Sequence, residues 1–295
     1  MALYAFDGTW NRDQVLDDRD TNVRKFFELS DEPDDRKLYT EGIGTRFGFV
    51  GHAIGGAFGA GGRERVNAAY DHLKHIWKSG EPIDVVGFSR GSAVALDFVN
   101  KIAQRKDKAG APQPPVRFLG LFDTVPAFGL PNVGLIEEID LNIGHDLTLP
   151  PGGVQHCFHA LALDERRRAF GATRLAGAHE VWFRGCHSDV GGGNGNTKLS
   201  FIALRWMLRK AALCGVPIDE ARLTAMALDA AVDPNAPLHL PKDFIRDDFR
   251  RCGAQDRAHY TVGPVAARAD RNDCNAFTFT SVETEADEVA LAPRL

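Results

Sequence analysis

A serine set between two glycines is the residue in this chain best placed to act as a nucleophile. Ser89 stands in Gly87-Phe88-Ser89-Arg90-Gly91, directly after the apolar run Ile83-Asp84-Val85-Val86 and directly before an amphipathic stretch. A strand that turns at once into a helix leaves almost no room beside the turning residue, and glycines at 87 and 91 meet that demand. The Ser89 hydroxyl then projects above the sheet edge. The Arg90 N–H, first in the helix, faces the oxygen that attack on a carbonyl creates. An activated serine also needs a base within hydrogen-bond reach and an acid that orients the base. Asp123 closes the run Phe118-Leu119-Gly120-Leu121-Phe122, and His187 follows the run at 180–184. Both are expected at strand ends on the edge where Ser89 sits.

Other residues compete for these roles. His156 and His159 suit ordinary core or surface histidines. Asp189 is two residues from His187 and cannot easily turn back to orient that ring. Asp164 precedes Glu165 and three arginines, and a solvated ion-pair cluster accounts for it. A second oxyanion donor is expected from the loop after the first strand, where Asp7-Gly8-Thr9 offers the N–H of Gly8 or Thr9. The same residues also suit an Asx turn in which Asp7 accepts from the Thr9 backbone.

The elements that must carry these residues alternate strand and helix. Residues 3–6 form a short first strand, 20–29 a helix, and 38–39 begin a second strand. A helix over 63–77 shows Val66, Ala69, Tyr70, Leu73 and Trp77 on one face. The elbow strand, a helix over 90–104, a strand at 116–122, a strand or helix start at 155–163 and a strand at 180–185 follow. Helices are expected over 199–213 and 218–232, and a strand over 277–282. This order gives an α/β fold, α/β-hydrolase-like, with a mostly parallel sheet and helices on both faces. The chain order Ser89, Asp123, His187 is also that of α/β-hydrolases. Residues 1–295 are taken as a single domain with an excursion around 126–151, where a short amphipathic piece falls at 133–143, and a less regular region after 215.

Residues 47–62 combine Phe47, Phe49, Val50, Ile54 and Phe58 with many glycines and almost no charge. The segment has no Gly-Lys-Ser/Thr ending and is not a P-loop. It suits a tightly packed buried loop, and equally a mobile wall in which Phe47, Phe49 and Phe58 meet an apolar substrate.

A net charge of −5 without a basic block gives no footprint for nucleic acid. The five cysteines are widely spaced, so neither a zinc site nor a disulfide framework is indicated. They are expected to be reduced thiols, with Cys186 set apart by its place beside His187. No metal and no organic cofactor is expected. The absence of a signal peptide and of a membrane-length apolar run makes the cytoplasm the default location. Export by a machine that reads no N-terminal signal is compatible with the same sequence.

Six stretches in order carry a family resemblance: Phe6-Asp7-Gly8-Thr9-Trp10-Asn11; Tyr39 with Gly42-Ile43-Gly44-Thr45; the Ser89 elbow; Gly120-Leu121-Phe122-Asp123-Thr124-Val125; His159-Ala160-Leu161-Ala162-Leu163-Asp164-Glu165-Arg166; and Val181-Trp182-Phe183-Arg184-Gly185-Cys186-His187-Ser188-Asp189-Val190-Gly191-Gly192-Gly193. From residue 6 to about 210 the chain resembles the uncharacterised α/β-hydrolase family that includes the catalytic domain of type VI secretion phospholipase effectors. The resemblance implies cleavage of phospholipid acyl esters by a Ser-Asp-His triad, which falls on Ser89, Asp123 and His187. It also implies a secretion-apparatus or immunity partner. Two departures stand out. Ser92-Ala93-Val94-Ala95-Leu96 replaces the family's small residue, aromatic and arginine after the elbow. The membrane-associating region of the larger effectors has no counterpart here, which favours a generic acyl ester over a phospholipid.

The expected activity is that of a serine esterase or lipase, phospholipase A-like, working through an acyl-enzyme. Its partner is an acyl-ester or lipid substrate, with room for transient contact at a membrane surface. The alternative is a non-catalytic member of the fold used for binding or in a secretion complex. Labelling of Ser89 by a fluorophosphonate separates the two.

Overall fold

Strand β1 (Ala2–Phe6) shows how the sheet is built. Its side chains alternate between two apolar layers. Leu3 and Ala5 join one cluster with Val23 and Phe26 of α1 (Asn22–Leu29) and Trp206 of α5 (Thr197–Leu213). Ala2, Tyr4 and Phe6 join the other, with Tyr70 and Leu73 of α2 (Gly55–Ile76) and Phe98 of α3 (Arg90–Ala109). The same division runs through β3 (Ile83–Phe88), where Val86 and Phe88 face the first layer and Ile83 and Val85 the second. Helices therefore cover both faces. Each large side chain buried this way contributes roughly 1.5–3 kcal/mol.

This is a computed structural model. It describes residues 1–8, 19–42, 55–109, 113–125, 147–167, 170–240, 250–253, 255–263 and 281–290, with side chains described only beyond residue 60 in α2 and up to residue 104 in α3. Among these, β2 (Lys37–Thr40), β4 (Val116–Phe122), β5 (Val154–Ala162), β6 (His179–Phe183), β7 (Arg257–His259) and β8 (Ser281–Glu283) complete one sheet. Its order is β2-β1-β3-β4-β5-β6-β7-β8. Every neighbouring pair is parallel. The register brings Phe6 beside Gly87, Phe88 beside Phe122 and Ala162 beside Phe183. The loops after β1, β3, β4 and β6 thus leave from a common edge.

The expected alternation holds, and three elements differ in detail. Helix α2 begins at Gly55, so residues 55–62 lie in the helix rather than in a loop. Glycine costs roughly 1 kcal/mol per helical position, so local propensity alone does not predict this start. The single helix expected over 218–232 is two short ones, α6 (Glu220–Ala225) and α7 (Leu228–Ala231). Ala227 between them is left-handed, with φ 46°, and the kink turns Leu228 into the core. The strand expected over 277–282 appears as β8 at Ser281–Glu283, while the excursion at 126–146, including the piece at 133–143, lies outside the described residues.

The last elements are fastened by buried charge. Glu283 on β8 is fully buried and meets Lys210 at 2.9 Å, His179 at 2.9 Å and Arg257 at 3.2 Å, and it accepts from Trp206 Nε1 at 3.1 Å. Glu288, on the short helix α8 (Glu285–Glu288), meets His259 at 2.6 Å, Arg205 at 3.3 Å and Arg209. Burial pushes the Glu283 carboxyl up, but the hydrogen bonds and charges of His179 and Lys210 outweigh it and hold the group well below the usual range. A carboxyl held low when folded contributes stability above its unfolded pKa, about 4.3, and loses it as pH falls through the folded value. Glu283→Gln strips the charge from this cluster. It should cost about 3–5 kcal/mol at pH 7 by denaturant unfolding, and its gap from the parent should close as the buffer is acidified below about pH 4.

Candidate active site

The elbow forms between β3 and α3, and backbone proximity explains its two glycines. A Cβ on Gly87 would lie 2.7 Å from the Ser92 Cα, and one on Gly91 would lie 2.2 Å from the Phe6 carbonyl oxygen. Helix α3 can pack this closely on β1 only because nothing projects there. Ser89 itself is left-handed, with φ 58°, a conformation that costs a non-glycine residue roughly 1–3 kcal/mol. Its N–H donates to the Phe122 carbonyl at 3.0 Å, and its carbonyl accepts from Ser92 N at 3.1 Å. Both bonds pin the turn. The Arg90 N–H leads α3 at its N-terminal end. The Arg90 side chain borders a small cleft with Asp7, Glu41 and Arg65, where burial draws its guanidinium down to about 10.

Asp123 follows β4 and is also left-handed, with φ 42°. Its N–H donates to Ala160 at 2.7 Å, which leans the residue toward β5. The carboxylate is fully buried and fully bonded. Oδ1 accepts from Ala162 N at 2.8 Å and Arg250 Nη1 at 2.5 Å; Oδ2 accepts from Arg250 Nη2 at 3.0 Å and meets His187 Nδ1 at 2.6 Å. Burial alone raises its pKa, but the Arg250 charge, then the His187 bond, outweigh burial and hold it far below the ordinary carboxylate range.

His187 opens the short helix α4 (His187–Gly191). Asp189 and Cys186 cap that helix, with Asp189 Oδ2 accepting from Cys186 N at 3.0 Å. The same carboxylate accepts from His239 N at 3.0 Å and Asn194 Nδ2 at 2.9 Å. Asp189 is thus committed to the loop, and the His187 ring turns to Asp123. That ring packs 4.6 Å from Phe88, the residue before Ser89, and 4.9 Å from Phe170. The Phe88 ring fits because Gly191 has no side chain: a Cβ there would lie 1.9 Å from Phe88 Cε2.

Several expected residues are placed differently. The Gly8 N–H donates to Asp7 Oδ1 at 2.6 Å, while a Cβ on Gly8 would lie 3.2 Å from the Ser89 Cβ. The Gly8 backbone thus runs beside the serine with its N–H engaged. Asp7 also accepts from Thr21 Oγ1 at 2.7 Å and from Tyr39 OH. Thr9, Phe47 and Phe49 lie outside the described residues; Phe58 lies in α2, its side chain likewise outside them. The acidic pair at 164–165 is not solvated. Asp164 is 2% exposed and accepts from Gly185 N at 2.7 Å; Glu165 is fully buried, accepts from His187 N at 3.1 Å and binds Arg167 through both oxygens. A charge run read without tertiary contacts gives no sign that two strand ends will enclose it. Cys186 is buried, and its thiol, facing the Asp164 carbonyl, is pushed well above the usual range by burial and by Glu165.

His159 and Arg250 are the supports that the sequence reading passed over as functional. His159 Nε2 accepts from Thr124 N at 3.1 Å, so the proton sits on Nδ1, which faces Glu180 at 3.1 Å. The ring thereby fixes the backbone just after Asp123. Arg250 falls in an irregular acidic and basic stretch with no strand end to mark it. Among the described residues no three His, Cys, Asp or Glu side chains gather as a metal site requires.

A family model for the catalytic domain of T6SS Tle1-like phospholipase effectors matches residues 3–102 and 97–210, more than half of the chain. The chain belongs to this family. All six stretches of the resemblance, and Ser89, Asp123 and His187, fall inside the matched region of this Tle1-like catalytic domain. Two solved structures share its fold. An uncharacterized protein from Pseudomonas aeruginosa is 22% identical, with a TM-score of 0.53, over 79% of this chain and 48% of that one. The chain therefore spans about half the length of that protein. The Tle1 effector bound to the VgrG spike of the Type 6 secretion system is 19% identical, with a TM-score of 0.53, over 81% of this chain and 82% of that one. No curated protein matches the chain.

The glycine contacts give a direct test of the elbow. Gly91→Ala drives a Cβ into the β1 backbone and should lower stability by about 2–3 kcal/mol in urea unfolding. Gly253→Ala, whose Cβ would meet nothing nearer than 3.9 Å, should be near neutral by the same measurement.

Proposed function

We propose that this Tle1-like domain is a serine hydrolase that cleaves carboxylic esters, with the acyl ester of a phospholipid as its substrate. The observation that carries the reading is the buried His187 Nδ1–Asp123 contact of 2.6 Å, with the His187 ring packed on Phe88, the residue before the strained Ser89. Ser89 Oγ attacks the ester carbonyl while His187 Nε2 takes its proton. The tetrahedral oxyanion collapses, the C–O bond to the alcohol breaks, and His187 returns the proton to that leaving oxygen. Water, deprotonated by the same imidazole, then attacks the acyl-Ser89 carbonyl; the acyl C–Oγ bond breaks, His187 returns the proton to Ser89 Oγ, and the fatty acid leaves. Asp123 keeps the proton on Nδ1, leaving Nε2 basic, and stabilises the imidazolium once formed.

The oxyanion takes one hydrogen bond from the Arg90 N–H. Thr9 is the proposed second donor, since the Gly8 N–H is already bonded to Asp7. Each such donor is worth about 3–4 kcal/mol in the transition state. The apolar residues Phe47, Phe49 and Phe58 are proposed to line the acyl side of the cleft. Family membership supports delivery by a type VI apparatus, and the VgrG-bound Tle1 structure supports a spike protein as carrier. No helix among the described residues is long and apolar enough to cross a membrane.

A fluorophosphonate probe should label the parent protein and not Ser89→Ala. The variant should keep its fold by circular dichroism and lose at least about a thousandfold in turnover of a short-chain p-nitrophenyl ester. Appreciable turnover by folded Ser89→Ala would remove the assignment. Release of fatty acid from phosphatidylcholine or phosphatidylethanolamine vesicles decides between a phospholipid and a simpler ester.

A further inference from the structure

We propose that Arg250, forty residues beyond the family-matched region, is the positioning residue of the hydrolytic site and keeps the Asp123–His187 pair ready to accept a proton. The inference rests on the hydrolase reading above. Arg250 is 7% exposed, and every described contact of its guanidinium reaches the site. Nη1 and Nη2 grip the two Asp123 oxygens at 2.5 and 3.0 Å. Nη1 also donates to the Ala162 carbonyl at 2.7 Å; Nε and Nη2 donate to the Phe170 carbonyl at 3.1 and 2.5 Å. One side chain thus joins the ends of β4 and β5 to the residue whose ring packs on His187. It sets where Asp123 points and what the imidazole leans on.

The second consequence is electrostatic. A buried carboxylate facing an imidazole favours the imidazolium, which is no use as a base. With Arg250 present, the carboxylate charge is already balanced by a guanidinium that reaches both of its oxygens. The imidazolium that forms during attack still finds the Oδ2 lone pair in place. The other charged groups around the pair do not supply this balance. Glu165 and Arg167 neutralise each other, Asp164 is bonded to Gly185 N, and Asp189 is bonded to Cys186 N and His239 N. Removing the guanidinium leaves the Asp123 charge facing the imidazole uncompensated, which should move the pH dependence of catalysis upward.

The test is the pH profile of kcat/KM for a p-nitrophenyl ester with the full chain. In Arg250→Met the acid limb should move up by about one pH unit or more, with kcat at pH 7 falling about tenfold and KM unchanged. Arg250→Lys, which keeps the charge but cannot span both oxygens, should hold the limb within about 0.3 unit of the parent and recover part of kcat. A folded Arg250→Met with the parent's limb and kcat would overturn the proposal. Should Arg250→Met not fold, Arg250→Gln carries the same expectation; should that fail as well, a displaced limb in Arg250→Lys overturns it and an unmoved one supports it. A parent protein inactive toward every ester would fail the hydrolase reading, whereas an active parent with an unshifted Arg250→Met fails this inference alone.

Discussion

One buried negative charge organises this site. Asp123 sits fully buried at the end of β4, and an unpaired carboxylate there would cost several kcal/mol or give up its charge. The fold meets that demand with donors from three separate places: the Ala162 N–H on β5, the Arg250 guanidinium from the region after residue 240, and the His187 ring from the start of α4. Each donor is itself held. Ala162 is in the sheet ladder, Arg250 is tied to Phe170, and His187 donates its backbone N–H to Glu165. The geometry at the imidazole follows from satisfying the carboxylate, not from the histidine's own loop.

The sheet makes this convergence possible. Parallel strands in the order β1-β3-β4-β5-β6 release their chains from one edge, which brings Asp123 into contact with His187 and Phe88 against the His187 ring despite their distance in sequence. Strain is concentrated at the same edge. Among the described residues, Ser89 and Asp123 are two of the three non-glycine residues with positive φ. They hold these conformations because the surroundings over-determine them: Phe122 and Ala160 carbonyls take their N–H groups, and Gly87 and Gly91 let α3 lie against β1.

The parts that were legible in the sequence were those with a local cause. Val85, Val86, Phe118 and Leu119 lie in continuous apolar runs, as strands buried on both faces must. The glycines around Ser89 announced a turn that admits no side chain. The separation of Asp189 from His187 by only two residues argued, from chain geometry alone, that it faces elsewhere. What stayed hidden had tertiary causes. Helix α2 extends through glycines whose local propensity disfavours helix. Strands β7 and β8 are three residues each, too short to show a period. Asp164 and Glu165 looked like part of a solvated charge run, because only the assembled strand ends bury them. Arg250 gave no signal, since nothing in Phe249-Arg250-Arg251 tells that one arginine turns inward to an aspartate 127 residues away.

The account stands on Asp123 as the ionised acid that orients His187. The most direct measurement is kcat for Asp123→Asn at pH 7 on a short-chain ester, with folding verified by thermal unfolding. An asparagine keeps the shape but offers Nδ1 the wrong partner, so kcat should fall about 10³–10⁴-fold with little change in KM. A folded Asp123→Asn protein within about tenfold of the parent would contradict the account, because the imidazole would then be oriented by something other than the buried carboxylate.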